Sequence, residues 1–177
     1  MTHDADANIE VDDLFARFDP WAALDDGRRQ LVAALDTCGP RSGALALAIP
    51  EFAALGESAG SVASMLVAHA ARDRAHAVFF ATLDADDAVG RPIDVAAVDG
   101  ADWVAVRADL DAARLAMLEA AAGLASEQWE RTLAPPWDAE PGETVAGLLI
   151  VRAISDGLLA NAILALGDEP PGGQPAR

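Results

Sequence analysis

The sequence contains no lysine and no tyrosine, it has one cysteine, and its apolar stretches are interrupted by charged residues. The lone cysteine, Cys38, excludes an internal disulfide bond and any zinc site built from several thiolates. All 12 basic residues are arginine, against 29 acidic residues, so the formal net charge is −17. A surface this acidic repels phosphate backbones, which argues against nucleic-acid binding.

Neither a targeting segment nor a membrane span is predicted. The N-terminus, Met1 to Asp6, is acidic, whereas a signal peptide begins with basic residues followed by an apolar stretch. The two longest apolar stretches are broken by charged residues, one at Arg72–Arg74 and the other at Arg152 and Asp156. Neither contains the roughly 18 uninterrupted apolar residues of a membrane helix. We therefore expect a cytoplasmic protein with no membrane contact.

Length and composition favour one helical domain. The chain has 177 residues, of which 53% are hydrophobic, and this suits a single folded domain. Alanine, the best helix former, occurs throughout, so we expect an all-α fold. The predicted organisation is a disordered acidic N-terminus over residues 1–10, a helical domain over 11–167 and a disordered tail over 168–177.

Capping residues, helical periodicity and terminating Gly or Pro residues predict four long helices. Their expected bounds are Asp19 to Gly39, Ser61 to Leu83, Asp99 or Asp102 to Gly123, and Thr144 to Leu166. Short extra helices are expected in the N-terminal and connecting segments, the first over Val11–Phe18, and Ser126–Trp129 is expected to form a short capped turn. Residues 41–60 fit either a short helix or an ordered loop, because Pro50 and Gly56 oppose one long helix.

Two segments of the chain resemble each other. Gly60–Leu66 matches Glu143–Leu149, and the same register places Asp73 opposite Asp156. Each segment follows a helix and a loop, so the sequence predicts two helical hairpins of similar design packed as a four-helix bundle. The alternative is a chance match between two helices rich in alanine and leucine.

Several short motifs occur in a fixed order between residues 19 and 166. They are Ser61-Val62 opening a helix that continues to Asp73-Arg74, the run Asp109–Arg114, the turn Ser126–Trp129, the pair Pro136-Trp137, and Thr144-Val145 opening the last helix. In this order and spacing the chain resembles the DinB-like family, which includes the YfiT-type proteins and the N-terminal domain of the mycothiol-dependent maleylpyruvate isomerases. The resemblance implies a DinB-like four-helix bundle that forms a homodimer.

The DinB-like resemblance also implies positions for a metal site. Family members usually hold a divalent metal, often zinc or nickel, with one histidine on the second helix and a His-x-x-x-His pair on the last. Aligned on the motifs, these three positions fall on Ala68, Ser155 and Leu159, and none of them is a good ligand. A shift of one residue brings in His69 and Asp156, which gives at most two ligands. We therefore expect that the metal site has been lost and that no cofactor is bound.

A polar strip on the second helix is the first candidate site. His69, Asp73 and His76 stand at i, i+4 and i+7, and so share one helix face. One interpretation is a relay in which Asp73 orients an imidazole that acts as a base. The others are a partial metal site and a polar strip with a structural role. The two histidines are about 10 Å apart along the axis, too far to bind one ion together.

Arg152 and Asp156 extend the candidate cluster to the last helix. They are also spaced i, i+4, and the repeat makes them equivalent to His69 and Asp73. If the two helices face each other, Arg152 pairs with Asp73 and Asp156 pairs with His69. The hypothesis is that a charge network occupies the space where relatives hold their metal.

Three functions remain open from the sequence. The first is a non-catalytic DinB-like bundle with a binding or scaffold role. The second is a metal- and thiol-dependent transferase or isomerase, of the mycothiol type, with an altered site. The third is a small-molecule binder that uses the cleft between the hairpins, with Arg152 facing an anionic ligand.

Two further kinds of residue are candidates. Cys38 lies at a helix C-terminus with no basic partner, which favours a structural role. Trp129 and Trp137 are candidates for lining a pocket.

Overall fold

The computed structural model describes residues 19–50, 52, 59–83, 102–133 and 144–167. The termini, the expected helix over residues 11–18 and Trp137 lie outside these residues. The helices are α1 (Pro20–Cys38), α2 (Val62–Ala81), α3 (Trp103–Ala122), the short α4 (Ser126–Trp129) and α5 (Val145–Gly167). The all-α prediction is confirmed, and the long helices begin and end within one or two residues of their expected bounds, with the third beginning after Asp102 and not after the alternative, Asp99.

Side-chain caps explain where the long helices begin. Asp19 accepts a hydrogen bond from the backbone N of Trp21 at 2.9 Å, and Asp102 accepts one from the backbone N of Val104 at 3.1 Å. These bonds satisfy amides that have no partner inside the helix. At the other end of α1, Gly39 has a φ of 70°, a conformation that is open to glycine at little cost.

The segment between α1 and α2 differs from both sequence-based alternatives. A 3-10 turn over Pro40–Ala44 leads into strand β1 (Ala46–Ala48), which pairs antiparallel with β2 (Ala59–Ser61). The prediction of a short helix or an ordered loop was therefore incomplete, since it did not include the two paired strands. Strands of three residues composed mainly of alanine and glycine carry too little alternation to be recognised from sequence.

The two halves of the chain enter their second long helix in the same way. The backbone N of Val62 donates to the carbonyl of Leu45 at 3.0 Å, and that of Val145 donates to the carbonyl of Arg131 at 3.1 Å. Ala46, which follows Leu45, forms a β-bridge with Ser61, the residue that caps α2. Thr132, which follows Arg131, forms a β-bridge with Thr144, the residue that caps α5. The structure therefore supports the internal repeat.

The repeat also extends to the caps and the buried charges. One constant spacing in the chain separates Asp19 from Asp102, Ser61 from Thr144, and Asp73 from Asp156. The hydroxyl of Ser61 accepts from the backbone N of Ser64 at 3.1 Å, and the hydroxyl of Thr144 accepts from the backbone N of Gly147 at 3.2 Å. Both helices thus start with the same side-chain cap.

The long helices pack as α1 against α5 and α2 against α3. These two pairs are equivalent under the repeat. They differ from the two hairpins predicted from the sequence, in which α1 would pair with α2 and α3 with α5. Gly27 permits the close approach of α1 and α5, because a Cβ at this position would lie 2.6 Å from the carbonyl oxygen of Ala153. The absence of a side chain at this crossing sets the distance between the two helices.

Two buried apolar clusters fill the interior. The first includes Leu31, Leu35, Leu66, Leu110, Leu159 and Ile163. The second includes Leu24, Phe80, Leu83, Met117, Leu148 and Leu149. On α2, α3 and α5 the buried charged residues Asp73, Arg114 and Asp156 fall between the segments that supply these two clusters. The core is therefore divided by a polar layer.

One helix among the described residues is long and apolar enough to cross a membrane. It runs over Val145–Leu166, and half of its most apolar window is buried inside the structure. A core helix of a soluble protein has the same length and composition. Arg152 and Asp156 lie within this helix and contact charged partners on other helices.

Candidate functional site

Six buried polar side chains from three helices form the layer between the apolar clusters. Each is at most 4% exposed; the six are His69, Asp73, His76, Arg114, Arg152 and Asp156. We call these six residues the charged layer. Helix α2 supplies the first three, α3 supplies Arg114, and α5 supplies the last two. The five residues selected from the sequence are thus together, and the structure adds Arg114.

Arg114 bridges the two repeat-related carboxylates. Its Nε donates to Oδ2 of Asp73 at 2.8 Å, and its Nη2 donates to Oδ1 of Asp156 at 3.0 Å. Its Nη1 lies 2.8 Å from Oδ2 of Asp156 but without hydrogen-bond geometry. One guanidinium from α3 therefore joins α2 to α5.

Arg152 contacts the other oxygen of Asp73. Its Nε donates to Oδ1 of Asp73 at 2.9 Å, and its Nη2 lies 2.8 Å from the same atom. The contact expected from the sequence between Arg152 and Asp73 is therefore present. Each oxygen of Asp73 binds an arginine, so this carboxylate serves as the anchor of an ion-pair network and not primarily as the orienting group of a histidine relay.

His69 is close to Asp156 without being hydrogen-bonded to it. Nε2 of His69 lies 3.9 Å from Oδ1 of Asp156, beyond hydrogen-bond distance. Neither ring nitrogen of His69 has a hydrogen-bond partner within the part of the chain that the structure describes. The ring of Phe52 packs 5.6 Å away, and on the next turns of α2 the ring of His76 stacks on Phe80 at 6.2 Å.

Burial and neighbouring arginines keep both imidazoles neutral. Burial, and then the positive charge of Arg152, lowers the pKa of His69 well below its ordinary value of 6.5. The same two causes lower the pKa of His76 to about 3. At neutral pH the positive charges of the layer are thus on the arginines.

For Asp73 and Arg114 the ion pairs together shift the pKa more than burial does, and in the opposite direction. Burial alone would raise the pKa of Asp73, but the charges of Arg152 and Arg114 hold it below its ordinary value. Burial alone would lower the pKa of Arg114, but Asp156 and Asp73 raise it. Asp73 and Arg114 are therefore both charged in the folded protein.

The three positions to which the sequence resemblance assigned metal ligands carry residues that do not fit a metal ion. Ala68, Ser155 and Leu159 are all buried, and the hydroxyl of Ser155 donates to the carbonyl of Val151 at 2.8 Å. No group of three or more His, Cys, Asp or Glu side chains among the described residues could hold a metal ion. The shifted register offers only His69 and Asp156, and the guanidinium of Arg114 on Asp156 repels a divalent cation.

Arg114 could have been recognised from the sequence. It lies four residues after Leu110 and three before Met117, and both of these are buried apolar residues of α3. A charged side chain in the middle of an apolar stripe predicts a buried ion pair. Arg114 is the last residue of the motif Asp109–Arg114, and the apolar residues on either side of it are the signal of its burial.

A cavity of about 360 Å³ lies between α1 and α3, next to the charged layer. Its lining includes Trp21, Leu24, Arg28, Arg114, Leu118 and Ala122. Arg152 does not face a cleft among the residues that the structure describes, because it is 1% exposed and bound to Asp73. Arg114 takes that place at the cavity, since it reaches both the charged layer and the cavity wall.

The remaining candidate residues have structural contacts. The thiol of Cys38 donates to the carbonyl of Ile163 at 3.5 Å, and the residue packs against the first apolar cluster. Trp129 packs edge-on against Trp21, with ring centroids 5.6 Å apart. Trp129 therefore supports the wall of the cavity through Trp21.

Comparison with protein-family models, with curated proteins and with solved structures gives no match to this chain.

Proposed function

We propose that this protein is a DinB-like four-helix bundle in which a buried ion-pair network stands in for the metal centre, and that it functions by binding and not by catalysis. The observation that carries the proposal is the guanidinium of Arg114, which hydrogen-bonds Asp73 on α2 and Asp156 on α5. These are the two helices that would carry the metal ligands in a DinB-like protein.

The charges of the network support a structural role. Two carboxylates, Asp73 and Asp156, face two guanidinium groups, Arg114 and Arg152, and the nearby imidazoles are neutral. A metal ion with three histidine ligands joins helices through coordination, whereas here the arginines join them through hydrogen bonds. We further propose that the protein is cytoplasmic and forms a homodimer, the state that the family resemblance implies.

Metal titration of the purified protein tests the proposal. We expect zinc and nickel ions to bind well below one equivalent per chain, by elemental analysis after dialysis and by calorimetric titration. A His69→Phe variant should then behave like the unmodified protein, because His69, with Nε2 at 3.9 Å from Oδ1 of Asp156, is the imidazole that a metal in the shifted register would need.

The opposite result would favour the alternative function. One tightly bound ion per chain, lost in His69→Phe and kept in a His3→Ala control, would identify a working metal site in the charged layer. That result would support a metal- and thiol-dependent transferase or isomerase, in which the neutral imidazole of His69 serves as a ligand or base.

A further inference from the structure

The cavity between α1 and α3 combines an apolar wall with one buried arginine, Arg114, and one half-buried arginine, Arg28. Its volume of about 360 Å³ is within the range of about 300–1,000 Å³ that is typical of small-molecule sites. Trp21, Leu24 and Leu118 supply apolar surface. The side chain of Arg28 is 15% exposed and that of Arg114 is 4% exposed, so both guanidinium groups are largely removed from solvent.

Both arginines have hydrogen-bond donors that the described residues do not use fully. Nη2 of Arg28 donates to Oδ1 of Asp111, but its Nη1 is buried and has no acceptor in the described part of the chain. Nη1 of Arg114 contacts Asp156 without forming a hydrogen bond. A buried guanidinium nitrogen without an acceptor costs free energy, so a rotation of the Arg28 side chain that brings Nη1 to an acceptor in the cavity would be favoured when a ligand binds.

We propose that this cavity binds a small monocarboxylic acid with an apolar body, whose carboxylate accepts hydrogen bonds from Arg28 while its body packs against Trp21 and Leu118. This inference specifies the ligand of the binding role proposed above and rests on it. A carboxylate matches the planar, bidentate geometry of a guanidinium and forms stronger hydrogen bonds than a neutral acceptor. Arg114 also lines the cavity, but its charge is balanced by Asp73 and Asp156, so Arg28 is the group that recognises the carboxylate.

Other charges on the cavity restrict the ligand to a single negative charge. Asp25 and Glu119 also line the cavity, and both are exposed. Together with the net charge of −17, they repel ligands with several negative charges, such as nucleotides. A monocarboxylate avoids most of this repulsion because its charge is held next to Arg28.

Two probes of the same shape separate the role of the carboxylate from that of the apolar body. The probes are 3-phenylpropionate and the neutral alcohol 3-phenylpropan-1-ol, titrated into the full chain by calorimetry and by tryptophan fluorescence, with Trp21 as the reporter at the site. We expect the acid to bind saturably, at one molecule per chain, and about tenfold or more tighter than the alcohol.

Three variants test the assignment of the residues. Arg28→Met should weaken the acid about tenfold and leave the alcohol unchanged, because only the acid loses a charged acceptor contact. Arg29→Met is the matched control, since the neighbouring side chain is 68% exposed, and its affinity should stay within about twofold of the unmodified protein. Ala122→Phe places a ring at the exposed edge of the cavity and should abolish binding of both probes.

Several results would overturn the site. They are no saturable binding of the acid, equal affinities for acid and alcohol, an equal loss in Arg28→Met and Arg29→Met, or full acid affinity in Ala122→Phe. If Arg28→Met does not fold, the Ala122→Phe comparison decides alone. Metal titration keeps the two proposals apart: a chain that binds neither zinc nor the acid loses the carboxylate site only, whereas stoichiometric zinc in the charged layer overturns the proposed function itself.

Discussion

Arg152 donates a hydrogen bond from Nε to Oδ1 of Asp73 over 2.9 Å, and neither side chain is more than 1% exposed. Removing two charges from water costs several kcal/mol for each ion, so such a pair adds little net stability compared with apolar residues of the same size. Breaking it is different, because the remaining charge stays buried with fewer partners. The network therefore resists substitution of one member at a time.

Arg152→Leu tests this property of the network. We expect the free energy of unfolding to fall by about 3–5 kcal/mol, because Asp73 keeps its charge and loses one of its two guanidinium partners. Urea unfolding at neutral pH, followed by circular dichroism, measures the change.

Arg107→Leu is the control for this substitution. Arg107 pairs with Asp36 at 2.6 Å, but the two side chains are 28% and 62% exposed, so water screens the pair. Its loss should cost less than about 1 kcal/mol. Equal losses in the two variants, or an unchanged stability in Arg152→Leu, would show that the buried network is unimportant for the fold.

The charged layer was partly predictable because its members follow two simple rules. Residues spaced i, i+4 share a helix face, and the repeat made His69 and Asp73 equivalent to Arg152 and Asp156, so that the four meet if the two helices face each other. These rules predict which helix face each residue lies on, but they do not predict the side-chain rotamers that decide the contacts. His69 therefore lies 3.9 Å from Asp156 without the expected direct pairing, and Arg114 occupies the space between the two aspartates.

The fold was predictable where the signals were local. N-caps such as Asp19 and Asp102 are set by contacts within one helical turn, so they could be found from sequence. The strand pair between α1 and α2 and the packing of α1 against α5 depend on residues distant in the chain. Gly27 is an example, because its role is visible only when the backbone of Ala153 is beside it.

Gly27→Ala tests the close crossing of α1 and α5. The new methyl group would lie 2.6 Å from the carbonyl oxygen of Ala153, and a backbone atom cannot move aside cheaply. We expect a loss of about 1–3 kcal/mol in the free energy of unfolding, since overpacking forces the helices apart. Thermal and urea unfolding of the variant measure this loss.

Gly157→Ala is the matched control on α5. A Cβ there meets only Oε1 of Gln30, at 3.7 Å, which is an ordinary contact. Alanine is favoured over glycine by about 1 kcal/mol inside a helix, so this variant should be slightly more stable. Opposite signs for the two substitutions would isolate the steric contact at Gly27, and the same sign would contradict it.

The buried imidazoles make stability depend on pH. In the unfolded chain His69 and His76 take up protons near their ordinary pKa of 6.5, whereas in the folded protein burial and Arg152 keep both pKa values lower. Below that pH the unfolded state therefore binds more protons, and the free energy of unfolding falls as the pH drops from about 6.5 towards 3. Each histidine contributes a slope of about 1.4 kcal/mol per pH unit. Asp73 adds a further loss only below its ordinary pKa of 3.8, because its pKa is lowered in the folded state.

His76→Leu separates this effect from the general charge of the protein. The repeat places Leu159 at the equivalent position, so leucine suits the site. The net charge of −17 acts in the opposite direction, because protonation of surface carboxylates relieves repulsion as the pH falls. Both proteins share that background, so urea unfolding between about pH 7.5 and 4.5 should give profiles that diverge by about 1.4 kcal/mol per unit below pH 6.5. Parallel profiles would mean that His76 takes up its proton equally in the folded and unfolded chain, and hence that the charged layer is open to water.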